Sequence, residues 1–222
     1  MPRFLSRQDR PLDEDRPGPE GSKRWIRRAP PARSRGRVGP GDAVIYVALL
    51  RGINVGGKNK VEMSRLRATF ENLGLAHVST YINSGNVIFS GDDRSGDSLV
   101  ASIEQAIADE FGLSLRVLVR DLDAMSATED ALPPTWTNDA TMKTDVMFLW
   151  VDDPNVIDAL PAREGVDDVI YVAGAIVWRV DRANLNRSGM SKIVGTKLYR
   201  EMTIRNCNTV RRLAELMRQV GA

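Results

Sequence analysis

The residues best placed to do chemistry lie in the stretch VIYVALLRGINVGGKNKVEM, which runs from Val44 to Met63. Arg51, Lys58 and Lys60 supply positive charge, and Asn54 and Asn59 supply amide donors. Gly52, Gly56 and Gly57 let backbone N–H groups crowd toward one point. A strand, a flexible cationic loop and a helix start are the parts from which anion sites are made. Gly52 to Lys58 fits the G-x-x-x-x-G-K opening of a phosphate-binding loop, but Asn59 stands where Ser or Thr would hold Mg²⁺. Nucleoside triphosphate hydrolysis is therefore disfavoured. The functional reading that remains is a metal-independent site of backbone N–H groups with Arg51 and Lys58. The plainer alternative is a tight turn in which Arg51 pairs with a carboxylate.

Asn83-Ser84-Gly85-Asn86 forms a second polar group. It reads as a hairpin turn, since Asn and Gly accept positive φ, and Tyr81 lies just before it. In a βαββαβ sheet the exit of the first strand and the hairpin between the second and third strands share one edge. Loop 51–60 should thus face Ser84 and Asn86, with Tyr81 offered for stacking or for packing. Arg205, Asn206, Asn208 and Thr209 make a third knot at a helix start, where capping by Asn206 or Asn208 and pairing of Arg205 with a carboxylate serve as explanation.

Inventory removes other chemistries. Cys207 and His77 are the one cysteine and one histidine. No disulfide can form within the chain, no His/Cys zinc set can be assembled, and a histidine triad has only His77 to use. The pairs Asp92-Asp93, Asp152-Asp153 and Asp167-Asp168 read as solvated turn charge. No cofactor is implied.

The elements that must position these groups follow from periodicity. Residues 1–42 hold 7 of the 11 prolines, 11 of the 31 basic and 6 of the 29 acidic residues. They read as a disordered Arg/Pro/Gly-rich tail, which leaves the rest slightly acidic and counts against a general nucleic-acid binder. Val44–Leu50 is apolar throughout, as in a strand covered on both faces. Met63, Leu66, Phe70 and Leu73 mark a helix, 78–82 and 87–89 a hairpin, and Leu99, Ile103, Ile107 and Phe111 a second helix. A strand at 115–119 completes βαββαβ. The order then repeats: a short helix at 122–131, a strand at 145–151, a helix at 154–160 and a hairpin of 169–172 with 175–180. A helical region at 190–199, a strand at 203–205 and a closing helix from 206 complete the chain. No residue-level repeat is evident between the halves.

ALLRGINVGGKNKVEMSRLR at 48–67, TYINSGNVIF at 80–89 and TIRNCNTVRRL at 203–213 together resemble the bacterial family catalogued as domain of unknown function DUF1697. The resemblance spans most of 43–222 and implies a duplicated ferredoxin-like α/β structure with no established activity. In that family position 207 more usually carries Trp, so Cys207 is a departure that speaks against a catalytic thiol.

The expectation is thus an α/β (α+β) protein of two ferredoxin-like βαββαβ-type subdomains, 43–120 and 121–222, with mainly antiparallel sheets. It is expected in the cytoplasm, with no membrane segment. Its best functional reading is binding of a small phosphorylated or anionic, nucleotide-like ligand at loop 51–60 and hairpin 83–86. The alternatives are an RNA-binding module stacking bases on Tyr46 and Phe89, and a non-enzymatic interaction or regulatory protein.

Overall fold

The computed structural model describes residues 23, 25–30, 43–92 and 96–220. In chain order its elements are β1 (Arg27–Arg28), β2 (Val44–Leu50), α1 (Met63–Asn72), β3 (Ala76–Tyr81), β4 (Asn86–Gly91), α2 (Gly96–Phe111) and β5 (Val117–Asp121). There follow α3 (Leu122–Asp130), β6 (Met142–Leu149), β7 (Asp167–Val172), β8 (Ala175–Asp181), α4 (Lys197–Arg200), β9 (Met202–Asn206) and α5 (Cys207–Val220).

Two sheets result. The first has the order β3-β4-β2-β5 with every neighbouring pair antiparallel. The second has the order β1-β7-β8-β6-β9, antiparallel except where β1 joins β7. Leaving β1 aside, both sheets interleave their four strands in the same way: second, third, first, fourth.

The unbroken apolar run of β2 has a direct cause, because side chains alternate between two buried faces. Tyr46, Ala48 and Leu50 pack with Phe89 and Val117 against Leu66 and Phe70 of α1 and Ile103 and Ile107 of α2. Val47 and Leu49 point the other way with Ile88 and Leu118. They meet Met125 of α3, Val210, Leu213 and Met217 of α5, and Val146, Phe148 and Val177 of the second sheet. The two sheets therefore share one central layer that holds α3 and α5. The far face of the second sheet is closed by Ile157 and Met190 from 3₁₀ turns, by Ile193 just after the second turn, and by Ile26.

Four expectations change. The stretch 154–160 is a 3₁₀ turn, Pro154–Ala159, and 190–199 is a 3₁₀ turn, Met190–Lys192, followed by the one-turn α4. Within the stretch read as a tail, β1 adds to the edge of β7 and the Ala29 amide donates to the Tyr171 carbonyl at 2.7 Å. Buried Ile26 gave too little periodicity to reveal this; the other residues of 1–42 lie outside those described, residue 23 excepted. The base-stacking alternative also loses its platform. Tyr46 and Phe89 stack on each other at 5.5 Å under the helices, and α3 and α5 cover the opposite face. Among the described residues no helix is long and apolar enough to cross a membrane.

Candidate anion-binding cleft

The loop after β2 does meet the hairpin, and Asn54 makes the join. Its Nδ2 donates to the Val61 carbonyl at 2.9 Å and the Asn83 carbonyl at 3.1 Å, while its Oδ1 accepts from the Val61 amide at 2.9 Å. Asn59 Nδ2 donates to the Gly52 carbonyl at 2.9 Å. Both asparagines, read from sequence as ligand donors, are braces that hold the loop's shape at positive φ. Gly85 is required where the hairpin crosses the strand end. It has φ +72°, and a Cβ there would fall 2.8 Å from the Leu50 Cβ.

Beneath this junction lies Arg205, which comes from β9 of the other half. Its Nε donates to Asn86 Oδ1 at 2.5 Å, and its Nη1 to Thr203 Oγ1 at 3.1 Å and the Ile204 carbonyl at 2.8 Å. Its Nη2 reaches the carbonyls of Leu50 at 2.9 Å, Ser84 at 3.1 Å and Gly85 at 3.3 Å. Five N–H donors thus find uncharged acceptors. The carboxylate expected for Arg205 is absent among the described residues: planar guanidinium matches converging carbonyls, and the chain supplies those instead. Burial lowers its pKa to about 10, so the cation persists at neutral pH.

Between the loop, the hairpin tip and β9 opens a cleft of about 350 Å³. Residues 51–55, Asn83 and Ser84 form one side, and Tyr199 with residues 202–205 the other. Arg51 stands at its mouth. One Nη1 bond goes to the Arg200 carbonyl at 2.5 Å, and the guanidinium lies over the Tyr199 ring at 5.0 Å. Neither Arg51 nor Arg205 forms an ion pair with a carboxylate among the described residues. The lining holds no imidazole, thiol or carboxylate among those residues; its titratable groups are the two guanidinium groups and the Tyr199 phenol.

Of the residues singled out from sequence, Arg51, Gly52, Asn54 and Ser84 line this cleft. Gly56, Gly57, Lys58 and Asn59 do not. The first three belong to an exposed turn closed by the Lys58 amide on the Val55 carbonyl at 3.1 Å, and Asn59 follows it. Tyr81 packs on the central layer, and Asn86 is buried, donating to the Tyr81 carbonyl at 3.0 Å. Among the other lining residues, Tyr199 was not singled out, and Arg205 was noted in the polar knot at a helix start but read as paired with a carboxylate, apart from this site. Arg205 had a signal: Arg-Asx directly before a helix occurs twice, as Arg120-Asp121 and Arg205-Asn206.

That pair is a structural repeat. Arg120 Nη1 donates to the Val119 carbonyl at 3.1 Å, and its Nη2 to the carbonyls of Leu149 at 2.6 Å and Gly174 at 3.4 Å. Leu149 ends β6 as Leu50 ends β2, and the amide of each donates to its hairpin carbonyl, Leu149 to Gly174 at 2.9 Å and Leu50 to Gly85 at 2.8 Å. Asp121 caps α3 through the Ala124 amide at 2.7 Å, as Asn206 caps α5 through the Thr209 amide at 2.9 Å. Each half thus lends one arginine to the other. At the second corner Asp152 takes the Gly174 amide at 2.8 Å and the Tyr171 hydroxyl, whose pKa is pushed up to about 12 by burial first and by that carboxylate.

The remaining candidates are structural. His77 Nδ1 meets Ser90 Oγ at 2.9 Å, and Cys207 is buried with its thiol pKa raised by burial. Asp167 is not solvated turn charge: it is buried in β7 and receives the Ser188 hydroxyl and, at 3.0 Å, the Gly189 amide.

Comparison with known proteins adds family but no activity. No curated protein matches the chain. Among solved structures, the conserved bacterial protein SP0830 from Streptococcus pneumoniae is similar at a TM-score of 0.68 with 30% identity, over 79% of this chain and 99% of that one. The model of the family "Protein of unknown function (DUF1697)" matches residues 44–178, and the chain belongs to that family.

Proposed function

We propose that this protein binds a small anionic ligand, through a phosphate or carboxylate group, in the cleft between residues 51–55, the 83–84 turn and β9. One observation carries the reading: two arginines meet at this cleft and no carboxylate among the described residues neutralises either. A guanidinium half-screened from water attracts an oxyanion more strongly than an exposed lysine does. The ferredoxin-like arrangement of each half supplies the junction where strand end and hairpin meet.

The division of labour differs from the one expected from sequence. Arg205 sets the local positive potential and fixes the hairpin, and Arg51 keeps donors free for direct contact. Lys58, on the outer turn, acts only at long range. Thermal denaturation with inorganic phosphate, pyrophosphate, AMP and short carboxylates tests this. A ligand at about a hundred times its Kd should raise Tm by about 5–10 °C. Arg51→Ala should abolish the rise, and Lys58→Ala should leave most of it. If no anion moves Tm, or if Arg51→Ala responds as the parent does, the reading is wrong.

A further inference from the structure

We propose that the cleft takes the carboxyl-terminal end of an extended peptide, its main chain laid along the free edge of β9 and its carboxylate at Arg51. This rests on the anion-binding reading above and names the ligand of the same site.

The first reason is the strand. Among the described residues β9 ends its sheet and pairs only with β6. The Trp150 amide donates to the Glu201 carbonyl at 3.2 Å, which sets the alternation of the ladder. Thr203 and Arg205 turn their backbone groups to β6, and Met202 and Ile204 turn theirs to the open side. Of those open groups, the Ile204 carbonyl is engaged by Arg205 Nη1 at 2.8 Å. The Met202 amide and carbonyl and the Ile204 amide have no protein partner among the described residues.

The second reason is shape. The cleft follows four consecutive residues of β9, 202–205, with 51–55 facing them. A trough along a strand edge matches an extended main chain, which offers alternating donors and acceptors. Exposed Val55 and half-buried Ile204 give apolar seats for side chains.

The third reason is where the charge sits. Arg51 is anchored to the carbonyl of Arg200, two residues before Met202. Its remaining donors lie at the end of the trough where β9 begins, and the amides of Gly52 and Ile53, which also line the cleft, have no protein acceptor among the described residues. A terminal carboxylate beside them satisfies the cation and lets the preceding residues run along the strand. Free phosphate would use Arg51 but leave the strand edge unmatched. A nucleotide would need a ring platform, and the Tyr199 ring is already faced by Arg51.

The probe is an equimolar pool of N-acetylated pentapeptides ending in Leu, Val or Phe, prepared as free acids, as C-terminal amides and with an N-methylated penultimate residue. Binding to the full chain is followed by calorimetry. The free acids should bind, and amidation or N-methylation should each weaken binding about tenfold or more. Ile204→Pro removes an edge N–H that the β6 ladder does not use. It should weaken the free acids equally while leaving any response to inorganic phosphate intact. If amides or N-methylated peptides bind as well as the acids, the proposal fails. If phosphate or AMP binds and no peptide acid does, peptide docking is overturned while anion binding stands. If nothing binds, both are overturned.

Discussion

The edges of β5 and β9 are counterparts, and the grooves beside them have opposite chemistry. The β9 groove holds about 350 Å³ and is lined by Arg51 and Arg205 without a carboxylate. The β5 groove holds about 490 Å³ and includes Arg120, but also Asp97, Glu104 and Asp121. Trp150 stands after Leu149 where Arg51 stands after Leu50. The shared parts are those that backbone hydrogen bonding demands: an arginine, a hairpin glycine and a strand end. What differs is the charge of the side chains around those parts, and an anion would distinguish the two grooves by it.

Removing the two arginines is the most severe test of that likeness. Arg205→Ala strands acceptors on Leu50, Ser84, Gly85 and Asn86 and should cost about 3–5 kcal/mol in urea denaturation. Arg120→Ala frees fewer carbonyls and leaves Asp152 holding Gly174, so about 1–2 kcal/mol is expected. Equal losses would mean that the first corner is no more dependent on its arginine than the second. The hairpin glycines sharpen the same contrast. Gly85→Ala meets Leu50 and Ile53 and should cost about 2–4 kcal/mol. Gly174→Ala, at φ +74°, meets only the Arg120 guanidinium at 3.0 Å, with no backbone or core side chain in the way, and should cost about 1 kcal/mol.

A subtler effect is confined to the closed corner. Asp152→Asn removes a negative charge from beside Tyr171, so the phenol should ionise below its present value of about 12, as followed by ultraviolet absorption. The sign for stability follows. A phenol whose folded pKa exceeds its unfolded value of about 10 contributes stability below pH 10 that drains away as the pH rises toward 12. The variant should lose that alkaline dependence in part. Smallest of all is the exposed Arg116–Glu201 pair at 3.1 Å, which joins the start of β5 to the start of β9. Arg116→Ala should change stability by less than about 1 kcal/mol, and added salt should erase the difference.

The sheets were legible in sequence because hydrophobic periodicity reports burial directly: the run of β2 and the spacing of Leu66 and Phe70 have no other purpose. The meeting of loop 51–60 with hairpin 83–86 was legible too, through topology. Asn54 and Asn59 misled because an amide that braces a loop and an amide that greets a ligand have the same composition. Arg205 was noticed, but its partner was misjudged for a different reason. Most of its acceptors are main-chain carbonyls, which every residue carries and no sequence pattern marks. Tyr199 sits in an irregular segment without periodicity, and β1 is too short to produce any.

The exchange of arginines also bears on the order in which the molecule is built. Leu50 and Arg205 are separated by 155 positions, so a chain leaving the ribosome exposes the first hairpin long before its pin has been made. The opposite corner waits less, since Arg120 precedes Leu149 by 29 positions. The groove with the positive rim is therefore the last to be completed, and a truncated product would carry an unfinished one.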